Sequence, residues 1–413
     1  MDLQEQPVLI LGGGFTGLFT AIHLRQKQSS LPITLIDRED RFIFKPLLYD
    51  FLSSEVQLDM AWPSYDDLLL SRDITFVKGD IQDIDLINQQ VLLSNKLAYD
   101  YRYLVLALGG VTGYFGIPGA QENSFRFRQA EDAFALGQHL RECLQQASQQ
   151  VEDSQALTTV AIIGAGPSGV ELAATLADLL PEWSDSLDIE PDKIRIAIVQ
   201  RGDEILKGTN SEQLRSTAEQ ALKDRKIAVE LLLGATVEAV ESTHVQYCQN
   251  GESKRLEART VVWTAGNATH PLITNLPVTE RDRARRLRVN SMLQLPEFSN
   301  VFAGGDCAIN VDDPQPATAQ VAYQQGIAIA ENISALANGD ELSAVDVKLR
   351  GTLLKLGMEE GAAELFDRFE IKGHLGHIIR HATYLSLLPT PARNLKVGTQ
   401  WLTDEIFEQV LNV

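Results

Sequence analysis

One glycine pattern occurs twice in this chain, each time between an apolar run and a helical one, and that repetition restricts the fold more than any other feature. Val8 to Leu11 precede Gly12-Gly13-Gly14-Phe15-Thr16-Gly17, and a helical pattern follows from Leu18 to Gln26. Val160 to Ile163 precede Gly164-Ala165-Gly166-Pro167-Ser168-Gly169, and a second helical pattern runs from Val170 to Leu180. Ile33 to Ile36 and Ile194 to Val199 supply the further strand that each copy requires about thirty residues on. In such a unit the first glycine (Gly12, Gly164) permits a tight turn and the second (Gly14, Gly166) lets the backbone approach a pyrophosphate. The third (Gly17, Gly169) lets the helix pack closely on its strand, with its amino terminus facing the anion. A single copy also reads as a glycine-rich turn in an empty α/β domain; two copies in full context predict two nucleotide sites.

The intervening chain follows the same plan. Tyr103 to Gly110 reads as a buried strand ending in small residues, and Thr260 to Gly266 repeats it. Both are expected to be the last strands of their units, with Gly109 and Gly266 where the backbone passes a ligand. A third such segment, Asn300 to Asp306, returns near the end. The expected fold is α/β, with two Rossmann-like dinucleotide-binding domains. Residues 1–122 and 293–345 form the first, 123–292 are inserted as the second, and 346–413 make a carboxy-terminal region.

Charge and cysteine content remove several function classes. The formal net charge of −20 disfavours nucleic acid, because each phosphate contact needs a Lys or Arg. Cys143, Cys248 and Cys307 are far apart, with neither a CxxC pair nor metal spacing, which excludes a flavin-proximal dithiol and suits a reducing cytosol. The acidic start, Met1 to Pro7, lacks signal-peptide character, and no run of about eighteen apolar residues occurs. Any membrane contact is therefore expected to be peripheral, on the cytoplasmic side.

The paired fingerprints, Gly304-Gly305-Asp306 and Trp263-Thr264-Ala265-Gly266 resemble type II NAD(P)H:quinone oxidoreductases over essentially the whole chain. Ala319-Gln320-Val321-Ala322-Tyr323-Gln324 fits that family's AQxAxQ pattern. Phe42 to Tyr49 is most similar to the cyanobacterial and plastid branch. The resemblance implies a glutathione-reductase-like flavoprotein with FAD at the first nucleotide site and NAD(P)H at the second. It implies electron transfer to a membrane quinone, either plastoquinone or a prenylated naphthoquinone such as a demethylated precursor in phylloquinone biosynthesis.

Particular residues take roles within that reading. Asp37 ends the second strand about twenty residues beyond Gly17, where a carboxylate can accept hydrogen bonds from a ribose diol; a solvated turn is the alternative. By resemblance, Asp306 would bind the ribityl chain and Lys45 would stand near the isoalloxazine ring, unless it is an ordinary surface lysine. The helix beginning near Thr318 would aim its amino terminus at the pyrimidine end of the ring. Glu171 either suits the dipole of its first helical turn or faces the nicotinamide–flavin junction. Gln320 and Gln324 share a helix face, where their amides would donate to a quinone carbonyl or serve only as caps. Cys307 reads as a small buried filler. Gln200 and Arg201 occupy the place where NADH-specific relatives carry an acid, so NADPH is expected to be preferred and NADH usable, unless Arg201 simply points to solvent.

The carboxy-terminal region carries a separate signal. From Ile371 to Thr403 there is no Asp or Glu in a chain that has 56, while Lys372, Arg380, Arg393 and Lys396 occur there. Leu375, Ile378, Ile379, Ala382 and Leu385 recur at helical spacing. This is expected to lie on an anionic bilayer; packing on the flavin domain or a homodimer seam are the alternatives. Trp401 to Val413 reads as an interfacial or dimerisation helix. A soluble reductase of a ferredoxin or rubredoxin partner is the competing class, and it would have no use for an apolar tail.

Overall fold

The computed structural model describes residues 6–28, 30–56, 62–149, 154–209, 211–349, 351–365, 369–387 and 389. Two parallel sheets organise them. In the first, the order is Gln294–Leu295, Phe298–Ala303, Tyr103–Leu106, Val8–Leu11, Ile33–Asp37 and Thr75–Lys78. All neighbours are parallel except the first pair. The sequences VLIL and YLVL are wholly buried, as expected for strands covered on both faces. Tyr103–Leu106 precedes the insertion but is not at the edge; the returning Phe298–Ala303 pairs outside it.

Helices Phe15–Lys27 and Ala319–Asn338 cross on one face of this sheet. The Thr16 hydroxyl donates to the Ala322 carbonyl at 3.1 Å and the Thr20 hydroxyl to the Gly326 carbonyl at 3.0 Å. A Cβ at Gly326 would lie 2.6 Å from the Thr16 carbonyl oxygen, so glycine is what permits this approach.

The second sheet runs Glu230–Leu233, Arg195–Gln200, Thr159–Ile163, Thr260–Trp263 and Phe125–Arg126, all parallel. The loops beyond the central strands of the two sheets are joined by a short antiparallel pair, Gly110–Thr112 with Asn267–Thr269. This brings Gly109 and Gly266, both at positive φ, to one seam.

Beyond residue 346, three antiparallel strands (Gly351–Lys355, Gly361–Leu365, Phe369–Gly373) precede the helix His374–Ser386. The sequence reading expected the helix but not the strands, whose run of only five residues each gives little periodic signal. Arg393, Lys396 and Trp401 to Val413 lie outside the described residues.

Leu104 is fully buried between Val301 and Leu9 on the neighbouring strands. Leu104→Ala is expected to cost about 2–5 kcal/mol, read as a lower denaturant midpoint with unchanged slope.

Candidate functional site

At the carboxyl ends of the first sheet opens a cleft of about 760 Å³, within the size range of cofactor sites. The glycines behave as three different parts. A Cβ at Gly17 would collide with the Gly12 carbonyl oxygen, and one at Gly12 with the Ala107 carbonyl, whereas Gly14 has no atom within 4 Å of that position. Gly14 therefore faces an open cradle, while its partners are packed shut. The second motif repeats this: Gly169 meets the Gly164 carbonyl, Gly164 meets Ala265, and Gly166 is open.

Asp37 closes the first cradle. Its Oδ2 accepts from the Gly13 N–H at 2.5 Å and its Oδ1 from the Glu39 N–H at 2.9 Å. Burial raises its pKa against these bonds, so the carboxylate gains from any further donor, such as a ribose hydroxyl. The Tyr65 hydroxyl donates to the Gly13 carbonyl at 2.9 Å and props the same turn. An open anion cradle with a carboxylate behind it fits a dinucleotide such as FAD.

The strand registers make Gln200 the counterpart of Asp37. Leu11 pairs with Ile36 in one sheet and Ile163 with Val199 in the other, so each side chain stands one residue past its strand partner. The Ala165 N–H donates to Gln200 Oε1 at 3.1 Å, matching the Gly13–Asp37 bond with a neutral acceptor. Arg201 is exposed beside it.

At the other end of the cleft stand Lys45, Asp306, Glu171, Tyr49 and Tyr384. Lys45 begins a short 3₁₀ turn, Lys45–Leu47. Its side chain is exposed to the open cleft, yet desolvation by the surrounding walls, reinforced by Arg128 and opposed by Asp306, pulls its pKa down to about 8. Asp306 accepts from Asn267 Nδ2 at 2.9 Å, and Arg128 donates to the Gly110 carbonyl at 2.9 Å, which ties the seam between the sheets to this end of the cleft. Glu171 is buried in the first turns of helix Pro167–Asp185 and accepts from the Lys355 N–H at 2.9 Å. Burial, with Asp50 adding to it, raises its pKa to about 7 against Arg380 and that hydrogen bond.

Thr318 caps helix Ala319–Asn338, its hydroxyl accepting from the Val321 N–H at 3.3 Å, and Ala317 to Ala319 line the cleft. The two glutamines are placed differently from the rest. Gln320 donates to the Gly351 carbonyl at 3.4 Å; Gln324 donates to the Lys348 carbonyl at 3.1 Å and accepts from the Lys348 N–H at 3.0 Å. Their amides hold the segment leading into the carboxy-terminal strands, and neither lines the cleft. Gln325, which sequence reading passed over, holds a turn of the cleft wall: its Oε1 accepts from the Gly305 N–H at 2.7 Å.

The cysteines are free. Cys307 is fully buried, its thiol donates to the Leu106 and Gly304 carbonyls at 3.3 Å each, and burial pushes its pKa up to about 12. It is a filler, not a redox thiol. Among the described residues no cluster of metal-ligating side chains occurs.

Arg380 requires a correction. Sequence reading assigned it to a lipid-facing basic surface, yet it is fully buried and pairs with Asp50 at 2.9 Å. Asp50, Lys355 and Arg380 were missed as a group because their partners lie about 300 residues away, where no local spacing can reveal them.

Comparison with known proteins places this geometry. Residues 6–326 match the family described as pyridine nucleotide-disulphide oxidoreductase. A demethylphylloquinone reductase of Synechocystis sp. is 34% identical over 98% of both chains. A chloroplastic/mitochondrial alternative NAD(P)H-ubiquinone oxidoreductase of Arabidopsis thaliana is 30% identical over 99% of this chain and 83% of its own. The solved structure of NDH2 from Plasmodium falciparum in complex with NADH superposes with a TM-score of 0.86. It covers 97% of this chain and 98% of that one at 17% identity, a likeness of fold alone.

Because the pKa of Glu171 moves from 4.5 to about 7 on folding, its ionisation opposes folding. The penalty is absent below pH 4.5, grows as pH rises and is complete above about 7. Glu171→Gln is therefore expected to stabilise the protein at pH 8 relative to pH 5, by up to about 3 kcal/mol in paired denaturant titrations. An equal effect at both pH values would show that the carboxyl is not perturbed.

Proposed function

The chain belongs to the pyridine nucleotide-disulphide oxidoreductase family, in its type II NAD(P)H:quinone oxidoreductase branch, and from that premise we propose that it transfers two electrons from NADPH through FAD to a membrane quinone. The observation that carries this reading is the pair of open cradles on either side of one seam, with a lysine and a buried carboxylic acid lining the cleft and no cysteine pair. Bound FAD would supply hydride acceptance and two-electron transfer. The protein's part is binding, charge and protons.

Gly12, Gly14 and Gly17 with Asp37 would hold the FAD pyrophosphate and ribose, and Asp306 its ribityl chain. Lys45 would place positive charge where negative charge develops, together with the amino terminus of helix Ala319–Asn338. Glu171 would exchange a proton near neutral pH, which quinone reduction requires. At the second cradle, Gly164, Gly166, Gly169 and Gly266 would pass the NADPH backbone. Gln200 offers no negative charge against a 2′-phosphate, and exposed Arg201 can pair with one. Gln320 and Gln324 would act on the quinone side by fixing the chain around residues 348–351 rather than by touching the acceptor. The demethylphylloquinone reductase of Synechocystis sp. favours a prenylated naphthoquinone as the acceptor.

The proposal includes peripheral attachment to the cytoplasmic side of a membrane, and helix His374–Ser386 supports the attachment. Arg380 and Tyr384 are buried, whereas Leu375 and Ile378 are 65% and 38% exposed. Amphipathic helices normally bury the apolar side in the protein, so this exposed apolar pair suits insertion into the headgroup boundary. Lys372, exposed at the adjoining strand, can meet anionic lipid. Among the described residues no helix is long and apolar enough to cross a bilayer.

With a short-chain naphthoquinone, the FAD-loaded protein is expected to oxidise NADPH faster than NADH, and Gln200→Glu to reverse that preference by about tenfold in kcat/KM, or about 1.4 kcal/mol. Faster turnover of NADH by the unmodified protein would overturn the nucleotide assignment. Flavin reduction without quinone turnover would overturn the acceptor assignment. Leu375→Asp with Ile378→Asp is expected to abolish co-sedimentation with anionic phospholipid vesicles while leaving bound flavin unchanged.

A further inference from the structure

Behind the cleft wall lies a group of charges that the proposed reaction does not itself use. Asp50, in helix Leu48–Leu52, is fully buried. Arg380 Nη1 donates to its Oδ1 at 3.1 Å and Nη2 to its Oδ2 at 2.9 Å. Lys355 Nζ donates to Oδ1 at 2.8 Å and also reaches Glu55. Burial works against ionisation of Asp50, but Arg380 and Lys355 outweigh it and hold the carboxyl well below its usual range.

Each of these cations makes a second contact that ends at the cleft. Arg380 Nη2 donates to the Pro46 carbonyl at 2.8 Å, and Pro46 follows Lys45. The main-chain N–H of Lys355 is the donor to Glu171. The two cleft residues thus hang from one carboxylate through two intermediaries. We propose that Asp50 is a positioning residue of the reaction: by binding Arg380 and Lys355 it fixes Lys45 and Glu171 at the cleft wall and screens Glu171 from both cations. The proposal rests on the reading of Glu171 as the proton-exchanging group.

The charge inventory around Glu171 gives the idea opposite signs to test. Asp50, Lys355 and Arg380 act on it from three segments, Tyr49 and Tyr384 pack beside it, and Glu55, His377 and His381 surround the ion group. Burial lowers both histidines, and at about 3 His377 is neutral at working pH. Burial raises the Glu55 carboxyl to about 7 against the pull of Lys355. Without Asp50, two buried cations would turn their field on Glu171 and keep it ionised. Without Arg380, Asp50 would keep only Lys355, and the loss of one cation would favour the protonated form of Glu171.

The test uses FAD-loaded full-length protein and an infrared titration of the Glu171 carboxylic acid band, identified by its loss in Glu171→Gln. Asp50→Asn is expected to lower the titration midpoint and Arg380→Gln to raise it, each by about one pH unit or more. General destabilisation would not move the two in opposite directions. The double variant Asp50→Asn/Arg380→Gln, which leaves no lone charge from that pair, is expected to return the midpoint toward the wild-type value. It keeps the test available if Asp50→Asn alone fails to retain FAD. The pH profile of naphthoquinone turnover is recorded on the same samples. Midpoints and turnover profiles that split together support the proposal. Midpoints that split without the turnover profile support the screening by Asp50 and instead overturn the role of Glu171. Midpoints that stay put, or move the same way in both single variants, overturn the proposal; so does a double variant displaced like one of the singles.

Discussion

The contact between Gly17 and the Gly12 carbonyl, and its copy between Gly169 and Gly164, is the constraint on which the rest of the molecule depends. With no side chain at the later glycine, the helix seats directly on the turn that feeds it. That seating directs the helix amino terminus and its free N–H groups at the space in front of Gly14 and Gly166. The parallel sheets then order everything else, because a parallel strand needs helices over both faces. The close crossing at Gly326 locks two helices of the first unit together, and the seam at Gly110–Thr112 joins that unit to the second.

What could be read in the sequence is what local chemistry determines. The glycine triads, Asp37 and Gln200 are found at fixed spacings within one strand–helix–strand unit, so their places follow from geometry that any such unit shares. Gln320 and Gln324 show the limit of that method. Their shared helix face was legible, but what stood opposite was not, and it proved to be the main chain near residues 348–351. Gln325, one step round the helix, is the amide that meets the glycine turn at Gly305. The Asp50 group was illegible for another reason: a lone aspartate in a short helix looks like an ordinary surface residue until its partners arrive from the far end of the chain.

Helix His374–Ser386 makes a related point about polarity. Periodicity identified two faces, but it carries no sign saying which faces inward. Usually burial of apolar area decides this, at about 25 cal/mol per Å². Here a buried carboxylate is a stronger demand, since a lone ion in the interior costs several kcal/mol, and Arg380 answers it. Arg380 and Tyr384 turn in, Leu375 and Ile378 are left outside, and the basic surface expected for lipid loses Arg380. An internal ionic requirement and an external apolar surface are thus two results of one orientation.

The reach of the ion group along the chain also bears on how the protein is made. Asp50 and Arg380 are 330 residues apart, and Thr16 and Ala322 are 306 apart. While the chain emerges from the ribosome, the amino-terminal sheet lacks the strand at Phe298–Ala303, its covering helix and the cations for Asp50. The inserted unit, whose sheet is drawn from residues 125–263, can close on itself earlier. The first sheet is thus completed only after the whole second sheet has been synthesised, although its own first strands are made earliest.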